Sequence, residues 1–246
     1  METVRVRPSL HLIPFPVGQA YLWRDGEELT LIDTGPPGAA DEVEDAIRRG
    51  GTGHGALRRI VLTHCHPDHA GSAAELAERH GAEVIAHAAD APVIRGEVPA
   101  PPPDLATAPE WERAAFDQVH APFGITSRAP AVPPAPPSRV DREVTEGDVL
   151  AFGGGARVLC VPGHTRGSIA LLLPVERVLF TGDAVARVEA GPVPGVFNQD
   201  RARTVASFLR LCDLGVGAVE TVCFGHGAPL ARAGGETLEQ AAAAYS

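Results

Sequence analysis

The sequence predicts an α/β fold of stacked layers, and three observations carry that prediction. Residues 57–62, 70–80 and 83–86 read in turn as strand, helix and strand: a compact apolar run, apolar residues at helical spacing, then a second run. Beyond residue 140, four short apolar runs separated by glycine or proline read as an antiparallel meander. At 246 residues, 44% hydrophobic and 21% charged, the chain is long enough and apolar enough to bury a sizeable core.

In order, residues 10–15, 20–23 and 28–32 read as a first meander that ends at Asp33 and a Gly35-Pro36-Pro37-Gly38 turn. Asp33 closes a strand expected to be buried, and a buried carboxylate needs partners. It is either a brace for a neighbouring loop or an ordinary turn aspartate. Residues 39–49 place Ala39, Val43, Ala46 and Ile47 at helical spacing and stop at Gly50-Gly51. Strand 57–62 leads into Thr63-His64-Cys65-His66-Pro67-Asp68-His69, and the helix at 70–80 ends at Gly81. His87, after the strand at 83–86, reads as structural.

Between about residues 91 and 140 lie more than half of the 23 prolines, a density that cannot continue a helix or central strand. One helical segment survives at 109–119, with Trp111, Ala115 and Val119 at i, i+4, i+8 and Phe116 beside them. The interval reads as an insertion within a single domain covering residues 1–246. Its aromatic helix packs over the body, with Trp111, Phe116 and Phe123 as candidate walls of a substrate pocket. A linker and an oligomer contact, such as that of a homodimer, are the other readings. Strands follow at 148–152, 156–161, 168–173 and 178–181, then a helix at 201–214, a strand at 220–224 and a terminal helix at 236–245.

Metal-ligand residue types gather where strands end. His64 and His66, at i and i+2 of a strand end, project to one side and can face one ion; Asp68 and His69, at the start of the next helix, can face a second. Imidazole and carboxylate suit zinc, with iron, manganese, cobalt or nickel also accepted. Pro162-Gly163-His164-Thr165, Thr181-Gly182-Asp183 and Gly225-His226-Gly227 repeat one design: a strand ends, glycine allows a tight turn, and one donor is left at the tip.

Composition excludes other classes. A net charge of -10 without a Lys/Arg run argues against nucleic acid as a partner. No apolar stretch approaches the roughly 18 residues of a membrane span. The first residues lack the pattern of a secretory signal, and Cys65, Cys160, Cys212 and Cys223 are widely spaced, as expected of reduced thiols in a cytoplasmic protein.

The four motifs, in this order and with Ile32-Asp33-Thr34-Gly35 ahead of them, resemble the metallo-β-lactamase-fold superfamily of metallohydrolases over about residues 10–245, the insertion excepted. The resemblance implies a four-layer αββα sandwich of two mixed sheets flanked by helices, with metals at the edge where the loops meet. It implies that His64, His66 and His164 hold a first divalent ion and that Asp68, His69 and His226 hold a second. Asp183 would bridge the two, Asp33 would support the histidine loop, and Cys65 would point away. The ions, zinc with iron or manganese as alternatives, would share a hydroxide nucleophile, and Asp68 would accept a proton. The implied reaction is hydrolysis of an ester, thioester, lactone or related bond in a small molecule.

Departures from individual branches narrow the expectation. The aspartate at position 183 and the absence of an export signal disfavour a β-lactam. Only about twenty residues follow His226, which disfavours glutathione thioesters. Tyr21 and Tyr245 are the only tyrosines, so the tyrosine that lactonases carry near the bridging aspartate is absent. No basic groove supports a phosphodiesterase or nuclease. A persulfide-dioxygenase-like enzyme with one iron shares the fold and motifs and is the alternative.

Overall fold

The computed structural model describes residues 3–49 and 55–245. The expected helix stop at Gly50-Gly51 lies outside the described residues. The first meander has four strands, β1 (Val4–Arg7), β2 (Leu10–Pro14), β3 (Gln19–Asp25) and β4 (Glu28–Ile32), each antiparallel to the next. Helix α1 (Ala40–Arg49) precedes β5 (Ala56–Val61), which runs parallel to β4. Helices α2 (Pro67–Ala70) and α3 (Ala73–His80) return the chain to β6 (Glu83–His87), again parallel.

The single helix expected at 70–80 is thus two helices, and tertiary hydrogen bonds explain the break. Gly71 N–H donates to Gly35 O at 3.1 Å and Ser72 N–H to Thr34 Oγ1 at 3.2 Å. Ser72 Oγ donates to Pro36 O at 2.6 Å and accepts the Ala39 N–H at 2.9 Å. The turn after β4 therefore competes successfully for groups a continuous helix would use internally. A Cβ on Gly71 would overlap Pro37 N and Pro67 O, so only glycine permits this approach.

The insertion holds α4 (Ala91–Ile94), too short to have been read, and α5 (Glu110–His120), close to the helix expected at 109–119. Then β7 (Arg142–Val144) adds a last parallel strand to complete a seven-stranded mixed sheet. The second meander is β8 (Val149–Leu150), β9 (Ala156–Cys160), β10 (Ile169–Leu173) and β11 (Val178–Phe180). Its first strand is cut short because Phe152 enters a Gly153-Gly154-Gly155 reversal, all at positive φ.

A hairpin of β12 (Val185–Val188) and β13 (Gly191–Pro194) was not expected, since Pro192 and Pro194 argue against a sheet. As a separate two-stranded ribbon it tolerates them. Helix α6 (Arg201–Cys212) is capped by Asp200, whose carboxylate accepts the Arg203 N–H at 3.0 Å. Strand β14 (Thr221–Cys223) lies parallel to β11, and α7 (Gly234–Ala242) begins two residues before the expected helix.

Strand alternation sorts the core into three apolar layers. Leu29 and Leu31 of β4 meet Val43 of α1 and Leu76 of α3 on the outer face of the first sheet. Tyr21, Trp23 and Ile32 turn the other way and meet Ile169, Leu171 and Phe180 between the sheets. Ala170, Leu172 and Leu179 cover the far face of the second sheet beneath Phe208, Leu211 and Leu238 of α6 and α7. The order helix, sheet, sheet, helix is the expected αββα sandwich. No described helix is long and apolar enough to cross a membrane, and the four cysteines are free, three of them buried.

Gly71→Ala should destabilise the protein by about 1–3 kcal/mol, the usual cost of overpacking. Urea unfolding measures it, and a change within error of zero would show that the 34–39 turn does not constrain the helix break.

Candidate metal centre

Strands β4, β5, β9, β11 and β14 all end toward one edge of the sandwich, and each is followed by a residue singled out in the sequence: Asp33, His64, His164, Asp183 and His226. Asp33 is 3% exposed and stands at φ 59, a left-handed conformation that aspartate adopts more readily than most residues. Its Oδ1 accepts the Thr63 N–H at 2.8 Å. Its Oδ2 accepts the Thr63 hydroxyl at 2.8 Å and the His69 Nδ1–H at 2.9 Å. Of the two readings of Asp33, the brace is the one the structure displays.

These bonds set the histidine tautomers. With Nδ1 of His69 committed to Asp33, its Nε2 faces the other donors. The Thr63 hydroxyl, having donated to Asp33, accepts from His64 Nδ1 at 3.1 Å, which leaves His64 Nε2 bare, buried and without a hydrogen-bond partner. His164 Nδ1 donates to Val196 O at 3.0 Å, so its Nε2 turns inward, 2.8 Å from His66 Nδ1.

The donors form one continuous cluster. His64, His66 and His164 bring donor atoms within 4.8 Å of one another, as do Asp68, His69 and His226, and as do His64, His69 and Asp183. Asp183 reaches both sides: Oδ1 lies 3.3 Å from His69 Nε2, and Oδ2 lies 3.1 Å from His226 Nε2 and 3.6 Å from His164 Nε2. Asp68 Oδ2 lies 3.3 Å from His69 Nε2 and 3.2 Å from His226 Nε2. Two buried atoms without a hydrogen-bond partner, His64 Nε2 and Asp183 Oδ1, sit in this cluster, and nitrogen and carboxylate oxygen together are the donor set of a divalent cation. The residues present therefore fit such ions.

Electrostatics divides the cluster. Burial pushes His66 down to about 3, aided by the neighbouring His164. Burial also lowers His164, and it lowers His64 well below the usual imidazole range with His69 adding to the effect. Lowered in this way, all three favour the neutral imidazole at pH 7, the form that can offer a lone pair to a cation. On the other side, Asp183 raises His226 to about 10 against the opposing effect of burial. Burial opposes protonation of His69 as well, yet Asp183, Asp68 and Asp33 raise it well above its ordinary value. Burial works to raise both carboxyls, but His69 and His226 hold Asp68 and Asp183 well below the carboxylate range. In the metal-free molecule protons supply positive charge that this half of the cluster demands.

Several positioning residues escaped the sequence reading. Asp90, 2% exposed, accepts Cys65 N–H at 2.9 Å, Thr165 Oγ1–H at 2.7 Å and Gly167 N–H at 2.8 Å, tying the His64 loop to the His164 loop. An aspartate in the turn three residues after His87, just ahead of α4, was the available signal. The Gln19 side-chain amide reaches Phe224 O at 2.7 Å and Gly227 O at 2.8 Å, and Tyr21 donates to Phe224 O at 2.9 Å, so β3 holds the turn that carries His226. Gly225 cannot bear a Cβ, which would overlap the Asp183 carboxylate.

Cys65 packs into the core between the first sheet and its helices, away from the donors. His87 belongs to none of the clusters among the described residues, and its Nδ1 accepts the Ala89 N–H at 3.0 Å. The pocket-wall expectation changes. Phe116 is buried in a small cluster with Leu105 and Ala108, while Trp111 and Phe123 are 59% and 65% exposed. None of the three lines the cavity of about 510 Å³ beside the His164 loop, which lies between Pro101-Pro102 and the arginines Arg166 and Arg203. Within the insertion Leu105, Ala108 and Phe116 pack together while Trp111 and Phe123 stay exposed, a division that helical spacing does not reveal.

A profile of the metallo-beta-lactamase superfamily matches residues 13–226. The chain belongs to the metallo-β-lactamase superfamily. Among superfamily members it is 31% identical over 217 residues to the probable metallo-hydrolase YflN of Bacillus subtilis (strain 168), covering 81% of this chain and 75% of YflN. It is 32% identical over 181 residues to the acyl-coenzyme A thioesterase MBLAC2 of Gallus gallus, covering 68% of this chain but only 55% of that protein. Among solved metallo-β-lactamase folds, the di-iron-bound form of TTHA1623 superposes with a TM-score of 0.60 at 28% identity, covering 91% of this chain and 94% of that one.

The shifts dictate a bell-shaped stability for the metal-free protein. His66 is lowered, so its contribution is present above an unfolded value near 6.5 and is lost as pH falls from there toward about 3; His226 is raised, so its contribution is present below 6.5 and is lost as pH climbs toward about 10. Thermal midpoints of the chelator-stripped protein should peak near neutrality and fall on both sides. A midpoint that keeps rising to pH 10 would contradict the protonated His226.

Proposed function

We propose that this chain is a metal-dependent hydrolase that uses two divalent ions on a small-molecule ester, thioester or lactone, with an acyl thioester as the first substrate to try. Membership of the hydrolase class is supported by the superfamily and by the relatives named as metallo-hydrolase and thioesterase. The observation that carries the two-ion reading is the Asp183 carboxylate, which lies 3.3 Å from His69 and 3.1 Å from His226 of one donor group and 3.6 Å from His164 of the other.

In this reading His64, His66 and His164 hold one ion, Asp68, His69 and His226 the other, and Asp183 both. Zinc suits the donors, and iron is the alternative metal, in keeping with the di-iron neighbour. When bound, such a pair of ions supplies a water-derived nucleophile at neutral pH and polarises the carbonyl.

The chain's own groups do the rest. Asp33 and Thr63 orient His64 and His69, and Val196 O orients His164. Asp68 Oδ2, placed against His69 and His226, takes up the proton released from the attacking water and returns it to the leaving group. The mobile protons of His69 and His226 give way to the cation, so metal uptake releases protons to solvent.

Asp183→Ala should lower metal occupancy and reduce hydrolysis of acyl thioesters by at least about a hundredfold, read by thiol release and metal analysis on the same sample. A metal-replete variant with full activity would refute the two-ion reading.

A further inference from the structure

We propose that Glu112 of α5 is a positioning residue that fixes the imidazole of His164 through the 195–201 loop, so that the insertion contributes to metal affinity. Glu112 is 1% exposed, and a carboxylate buried so deeply is costly unless its oxygens are matched. Both oxygens are matched: Oε1 accepts the Phe197 N–H at 2.7 Å, and Oε2 pairs with the Arg201 guanidinium.

Phe197 stands at φ 57, a conformation that a bulky residue keeps only when its surroundings hold it. Its ring packs edge-on against Phe116, one turn along α5 from Glu112, with centroids 5.2 Å apart. The residue before it, Val196, provides the carbonyl that takes the His164 Nδ1–H. Two residues after it, Gln199 N–H donates to His164 O at 3.2 Å, and Asp200 N–H donates to Gly163 O at 2.9 Å.

The start of the loop touches the second candidate ligand. Gly195 lies so close to Asp183 O that no Cβ would fit, and its N–H donates to Ala184 O at 3.2 Å. The loop is therefore wedged between His164 and Asp183 on one side and α5 on the other. Asp104 N–H to Asn198 O at 2.8 Å and the Gln199 side-chain amide to Pro101 O at 3.2 Å are further ties from the insertion.

The chemical consequence lies at His164. Val196 O selects the tautomer whose Nε2 lone pair faces the cluster, and partners of this kind govern metal affinity. Loss of the Glu112 acceptor frees Phe197 to relax from its strained conformation, which turns the Val196 carbonyl and releases Nδ1. The insertion then acts on the ligand set itself, beyond any effect on substrate choice. The inference rests on His164 being a metal ligand.

Two variants separate the acceptor from the volume it fills. Glu112→Gln keeps an oxygen for the Phe197 N–H, and Glu112→Leu fills the space without one. In competition with a chromophoric zinc chelator, Glu112→Leu should bind zinc about tenfold more weakly and Glu112→Gln within about threefold of wild type, the low end of what second-layer partners contribute. Nitrogen-15 spectra of the imidazoles in the metal-free protein should show His164 as the Nδ1–H tautomer in wild type and Glu112→Gln, and as a tautomer mixture in Glu112→Leu. A folded Glu112→Leu protein with wild-type zinc affinity and an unmixed tautomer overturns the proposal, as does an equal loss in both variants. Should Glu112→Leu fail to fold, Glu112→Ala removes the same acceptor without filling its space. Zinc binding about tenfold weaker with a mixed tautomer is then expected, and no change in either readout overturns the proposal. Wild-type protein that binds no zinc refutes instead the metal-centre reading beneath it.

Discussion

One buried carboxylate, that of Asp33, sets the geometry on which the rest of the centre depends. Its three hydrogen bonds join the end of β4 to Thr63 after β5 and to His69 in α2, and through the Thr63 hydroxyl they extend to His64. A carboxyl group at 3% exposure is costly to bury unless its oxygens are hydrogen-bonded, as both are here. The site and the fold are thereby coupled. Parallel pairing of β4 with β5 brings Asp33 beside Thr63, and the bonds made there decide which nitrogen of two histidines faces inward.

A similar logic recurs around the cluster. Asp90 fastens the His64 loop to the His164 loop, Gln19 and Tyr21 fasten the His226 turn, and the 195–201 loop lies against both His164 and Asp183. Close approaches do the remaining work, since Gly195 and Gly225 leave no space beside Asp183 for a side chain. The result is a set of donors held by backbone and buried polar groups before any cation arrives. Such preorganisation lowers the cost of assembling the ligands and confines the charge imbalance to Asp68, Asp183, His69 and His226.

The layers and the strand-end residues were legible in the sequence because both rest on local signals. Short apolar runs bounded by turn residues gave β4, β5, β9, β10 and β11, and the motif order supplied the resemblance on which His64 through His226 were paired. What stayed hidden depends on tertiary contacts. The break at Gly71-Ser72 comes from the 34–39 turn, and the β12–β13 ribbon tolerates prolines that would exclude a central strand. Asp90 and Glu112 were not singled out, because apart from Asp90's place shortly after β6 nothing in their neighbourhood along the chain announces burial. The aromatic residues of α5 showed a helix but not which face it would bury, so Phe116 was read as a pocket wall and is core.

The central claim is that this preorganised cluster takes two cations rather than one. Metal-free protein titrated with zinc, desalted, and analysed for zinc and protein by independent elemental methods tests it directly. The account predicts a plateau at about two zinc ions per chain, the number a bridging carboxylate between two donor groups serves. A plateau at one, with His226 or Asp68 dispensable for binding, would contradict it.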